Sequence, residues 1–152
     1  MDPAAITPWR AAWLWSLPLL VVTMVIHAFS LRMIDRRVFF ILDGSARNRL
    51  LRMASWVIMP VVALCAAILH GSEAAIWAAA YVLLGALPDR KSAMLYSMNA
   101  MTTYGHVDLH LEPHWQLMGA LEALNGVILF GLTTAFLFTV MQKVWPRLNS
   151  ST

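Results

Sequence analysis

The chain has 152 residues, of which 60% are hydrophobic and only 12% charged, with a formal net charge of +3. A soluble domain carries about 25% charged residues, so this composition excludes an ordinary soluble protein and points to an integral membrane protein. The arginines gather in one segment instead of covering a face, which argues against a nucleic-acid partner, and the single cysteine, Cys65, excludes a disulfide within the chain.

A short leader, residues 1–8, precedes an apolar stretch from Trp9 to Leu31. About 20 such residues cross a hydrocarbon core, and no small-x-small cleavage site precedes Arg32, so the stretch reads as a first membrane helix and not a signal peptide. Trp9, Trp13 and Trp15 are its interfacial anchors. From Arg32 to Arg52 six arginines (32, 36, 37, 47, 49 and 52) share the sequence with Asp35 and Asp43. This reads as a cytoplasmic loop, since positive loops stay inside; beside that ordinary reading, its apolar run Val38–Leu42 lies at the headgroup level of the membrane lipid, where the flanking arginines attract anionic headgroups. The amino terminus is then outside and the carboxyl terminus inside, as expected of a multi-pass protein of the cell inner (plasma) membrane.

The segment Met53–Leu87 is longer than one crossing requires: about 35 helical residues span roughly 50 Å, against a core of about 30 Å. A single crossing, tilted or kinked at Pro60, is favoured over a break at His70–Glu73. His70 and Glu73, three apart, share a helix face, as interhelical glue or an interface position, with a proton-sensing role as the second reading. Pro88 and Asp89 then end one element and cap the next, and the following Arg90–Met101 makes about three turns, too short to cross. Such a helix enters the membrane halfway and stops, with the negative end of its dipole toward a cation. A polar interruption, Thr102–Leu109, follows it, and a long apolar helix from His114 to Met141 closes the chain.

The segment Thr102-Thr103-Tyr104-Gly105-His106-Val107-Asp108 occupies the frame of a potassium-channel filter, in which Thr-Val-Gly-Tyr-Gly follows a threonine and precedes an aspartate. Together with the short helix before it and the glycine-containing helix after it (Leu121–Gly126, Phe130–Leu137), it resembles the bacterial two-helix-pore ion channel family, over roughly Met53–Gln142. The resemblance implies an all-α membrane protein: three transmembrane helices, a re-entrant pore helix and a filter loop. It implies residues 1–52 as an added amino-terminal helix and loop, 53–142 as the pore domain and 143–152 as a short tail. It also implies a homotetramer, because one chain supplies one filter segment, and a permeant monovalent cation, potassium with sodium as the other candidate. No cofactor, nucleic-acid partner or enzyme activity is expected.

Within that frame Ser97, Asn99 and Glu122 are the candidate filter supports, Gly126 and Gly131 the candidate gating hinges or close-packing points, and Thr133 and Thr134 the candidate cavity lining. The departures lie in the outer half. Tyr104 replaces valine, His106 tyrosine and Val107 the second glycine; a β-branched residue does not take positive φ readily, so altered potassium selectivity is expected. His106, His110 and His114 are candidate pH-sensing or metal-binding residues, and Asp108 a cation-concentrating ring at the mouth. Two other readings stand beside the channel: a non-conducting channel-like subunit or sensor, and a histidine-based metal-binding membrane protein.

Overall fold

The computed structural model describes the backbone of residues 3–43, 50–105 and 109–149, and the side chains of 9–41, 57–105 and 109–145. Among the described residues four helices follow in chain order: α1 (Pro3–Asp43), α2 (Leu50–Leu83), α3 (Arg90–Met101) and α4 (Gln116–Asn149). Three contain stretches long and apolar enough to cross a membrane: Trp9–Ile41, Val57–Leu83 and Gln116–Trp145. Their outward faces carry large apolar side chains, such as Leu14, Val25, Phe29, Ile68 and Phe138, as a hydrocarbon solvent requires. The protein is therefore an all-helical membrane protein with three candidate spans.

The buried positions of α1, namely Ala12, Ser16, Thr23, His27, Leu31 and Val38, recur at intervals of four or seven and so form one narrow stripe. The arginine-rich segment departs from the sequence reading. It is not a loop from Arg32 onward, because α1 continues to Asp43 and carries Arg32, Arg36 and Arg37 on helix. Between Arg32 and Asp43 there is neither glycine nor proline to stop a helix, and a change of charge alone does not end one. Arg47 and Arg49 lie outside the described residues, while α2 begins at Leu50.

The helix α2 is a single element of 34 residues that runs through Pro60 and through His70–Glu73 without a break. It stops at Leu83, four residues earlier than the sequence reading, by a Schellman cap. Gly85 takes φ +68°, its amide donates to the Val82 carbonyl (3.1 Å), and the Ala86 amide donates to the Tyr81 carbonyl (2.9 Å). The helix α3 begins where Asp89 caps it, the carboxylate accepting from the Ser92 amide at 2.9 Å. The last helix outruns its expected end at Met141 and includes the start of the tail as far as Asn149.

By chain contacts the molecule divides into two compact units, residues 1–26 with 70–129 and residues 27–69 with 130–152. In the first, Trp77, Tyr81, Ala93, Tyr96, Leu111, Trp115 and Met118 form the core. Tyr81 and Tyr96 meet edge-on, with ring centroids 5.3 Å apart. Inside a bilayer, burial against protein gains little over burial against lipid, so close packing and hydrogen bonds must hold these helices together. Gly119 reflects that: a Cβ there would lie 3.2 Å from the Tyr96 ring and 3.3 Å from Leu111.

In the second unit Val38, Ile58, Val62, Val140 and Val144 pack together. His27 Nε2 lies 3.0 Å from the Thr133 hydroxyl, and Lys143 Nζ donates to Asp35 Oδ1 at 2.5 Å. The partners advance from 27 to 35 on α1 and from 133 to 143 on α4. Within this unit the two helices therefore run parallel.

Candidate functional site

The polar groups that could do chemistry in an apolar chain concentrate around α3. Among its twelve residues, Ala93, Tyr96, Ser97, Ala100 and Met101 are buried, so one face is packed in protein. The opposite face is open at Leu95 and Met98.

Ser97 and Glu122, two of the expected support residues, belong to one hydrogen-bonded group. Both are fully buried, and Ser97 Oγ contacts Glu122 Oε1 on α4 and the Ala74 carbonyl on α2, the latter at 2.7 Å. The Tyr81 hydroxyl donates to Glu122 Oε2 at 2.6 Å. Three helices thus meet at one carboxyl group. Tyr81 was not among the expected site residues; a tyrosine in an apolar helix reads as core, and its phenol finds its partner 41 positions away.

Beside this group, Gly126 faces the end of α3. A Cβ there would fall on the Met101 carbonyl, with the Met101 Cα at 2.7 Å, so the two backbones approach more closely than any side chain permits. At Gly131 nothing lies within 4 Å. The two candidate glycines therefore differ, one a packing point and the other in open space. Asn125 Nδ2 donates to Thr23 Oγ1 at 2.9 Å, tying α4 to α1. Thr133 is buried against His27, whereas Thr134 is exposed and donates back to the Phe130 carbonyl. The two candidate cavity-lining residues thus differ in their surroundings, Thr133 packed within the chain and Thr134 on its surface.

Past Met101 the backbone makes a second Schellman cap. The Thr103 amide donates to the Ala100 carbonyl and the Tyr104 amide to the Asn99 carbonyl, each at 3.0 Å. Asn99 thus touches the loop through its carbonyl oxygen, which the Thr102 hydroxyl also approaches at 3.4 Å. The residue in the left-handed position is Thr103, at φ +56°, and Gly105 is left-handed again at φ +89°. Handedness alternates along Thr102–Gly105, Thr102 being right-handed at φ −85°. These four residues are exposed, Tyr104 at 83%. Among the described residues the carbonyl oxygens of Thr103, Tyr104 and Gly105 accept no hydrogen bond.

His106, Val107 and Asp108 lie outside the described residues. His110 is exposed, and His114 pairs with Glu112 (3.4 Å) and packs against Trp115. Among the described residues neither belongs to a set of three side chains close enough to share a metal ion. On α2, His70 Nδ1 and Glu73 Oε2 are 3.5 Å apart on the shared face expected of them.

Comparison with family models, with curated proteins and with solved structures returns no match for this chain.

Proposed function

We propose that the protein is a homotetrameric cation channel whose ion path is formed by four copies of the Thr102–Asp108 segment. The observation that carries this reading is the joint between α3 and its loop. A twelve-residue helix spans about 18 Å, roughly half a membrane, and ends in a loop whose φ alternates in sign, with three carbonyl oxygens that accept no hydrogen bond among the described residues. Exposed in the single chain, these oxygens would be costly to enclose without partners, so such a loop belongs where a cation or water meets it. Its exposure on a single chain fits a surface that other copies enclose around an axis. The partial negative charge at the carboxyl end of α3 favours a cation at the same place.

In this arrangement α3 is the re-entrant pore helix, α2 the outer helix and α4 the inner helix. Thr102–Gly105 forms the inner half of the filter, the Ser97–Glu122–Tyr81 group braces it from behind, and α1 is an additional helix at the periphery. The permeant ion is monovalent, potassium or sodium, with Val107 weakening the preference for potassium.

Purified protein in liposomes tests the reading. A cation current is expected from particles verified as tetramers, with a reversal potential in mixed sodium and potassium that departs from the potassium equilibrium value. A verified tetramer without flux favours the non-conducting reading, and strict potassium selectivity overturns the inference from Val107.

A further inference from the structure

We infer that Glu122 is held as a neutral carboxylic acid that gives its own hydrogen to Ser97, so that a resident proton is a structural part of the joint between α2, α3 and α4. The inference rests on counting hydrogens. Three oxygen–oxygen contacts make up the group: Tyr81 with Glu122 Oε2, Ser97 with Glu122 Oε1, and Ser97 with the Ala74 carbonyl. Both Ser97 contacts are too short for one hydrogen to be shared between two acceptors, so each contact needs its own, three in all. The Tyr81 and Ser97 hydroxyls supply one each, and a backbone carbonyl supplies none. The third hydrogen must therefore sit on the carboxyl group.

The direction of the chain follows. Ala74 can only accept, so the Ser97 hydroxyl donates to it; Ser97 Oγ then accepts from Glu122 Oε1, while Glu122 Oε2 accepts from Tyr81. An ionised Glu122 would leave Ser97 with two acceptors and one hydrogen, and one contact would become a repulsion between lone pairs. It would also leave a fully buried charge without a counter-ion, since among the described residues no lysine, arginine or histidine pairs with Glu122. The titratable side chains packed around it are the phenols Tyr81 from α2 and, edge-on to Tyr81, Tyr96 from α3. Ser97 lies five residues before Thr102, so this proton fixes α3 about a turn and a half ahead of the loop. The count is independent of what crosses the membrane.

Infrared difference spectroscopy of the full chain in lipid at neutral pH, parent minus Glu122→Gln, tests the inference. A carboxylic C=O stretch is expected in the parent and absent from the variant, since the glutamine amide can donate to Ser97 and accept from Tyr81 in the same places. Tyr81→Phe and Ser97→Ala each remove one hydrogen bond from the acid and should move its band to higher frequency. A difference spectrum holding only carboxylate bands overturns the inference. If Glu122→Gln does not assemble, the two neighbouring variants carry the test on the parent's own acid band: a band that neither of them shifts belongs to another residue, and the inference fails. Because no arm measures flux, its failure would be distinct from failure of the channel reading.

Discussion

Thr103 does the backbone work that Gly85 does at the end of α2, and does it at a cost. Both occupy the left-handed position of a Schellman cap, at φ +68° for Gly85 and +56° for Thr103. For a residue with a Cβ that conformation costs roughly 1–2 kcal/mol, and a β-branched one is an outlier there. The chain thus places threonine where glycine would be cheaper, which points to a use for the side chain or for the strain. Thr103→Gly should stabilise the protein by about 0.5–1 kcal/mol, once the greater freedom of glycine in the unfolded chain is subtracted. The thermal midpoint in detergent would rise, while any flux loses its ion preference; a lowered midpoint would mean that the hydroxyl, not the backbone, dominates. Gly126 and Gly131 offer a second comparison at this scale. Gly126→Ala drives a methyl group into the Met101 backbone and should cost about 1–3 kcal/mol by overpacking. Gly131→Ala meets open space and should gain up to about 1 kcal/mol from helix propensity. Equal unfolding midpoints for the two variants would refute the distinction.

At the scale of elements, α3 depends on its cap. Side-chain and backbone hydrogen bonds from Ser92 hold the Asp89 carboxyl below the usual carboxylate range. The sign follows: a depressed folded value means a contribution that is present above the unfolded value and lost as the pH falls through the folded one. Asp89→Ala should loosen α3 at neutral pH, and Asp89→Asn should keep the cap while removing its acid sensitivity. Amide exchange at residues 90–94 would report both, and equal protection in the parent and Asp89→Ala would deny the cap a role. This element was also the most legible in the sequence, because Pro88, Asp89 and the threonines at 102 and 103 punctuate it at both ends. The far end of α1 is hidden in the sequence for the opposite reason. A change from apolar to arginine-rich composition marks a change of surroundings, which helix geometry does not register until a residue such as glycine stops it. Of the buried acid site, Glu122 and Ser97 were legible as polar residues in apolar segments. Tyr81 was not, since nothing local in a sequence separates a hydrogen-bonding phenol from a packed ring.

For the whole molecule, the decisive feature is that α2 is one helix. Its 34 residues extend about 51 Å, enough for one crossing; with α4 as a further crossing, the proposed topology sets the loop after α3 and the end of α4 on opposite sides of the membrane. The parallel run of α1 and α4 in the 27–69 and 130–152 unit agrees, because an odd number of crossings by three helices sets the first and the last in the same direction. Lys143 reaching Asp35 brings the end of α4 beside the part of α1 that carries Arg32, Arg36 and Arg37, and the proposed channel, by the positive-inside rule, has this end in the cytoplasm. Cys65, the one native thiol, makes the arrangement testable once it is replaced by serine. A cysteine at the exposed position of Glu112 should react with a membrane-impermeant maleimide in sealed, right-side-out vesicles. One at the exposed position of Gln142 should react only after the vesicles are opened. Labelling of both from the same side would mean that the chain crosses an even number of times between them. The α4 span would then lie along the membrane or within protein, and the order of helix, loop and helix around Thr102–Gly105 could not enclose a path through it.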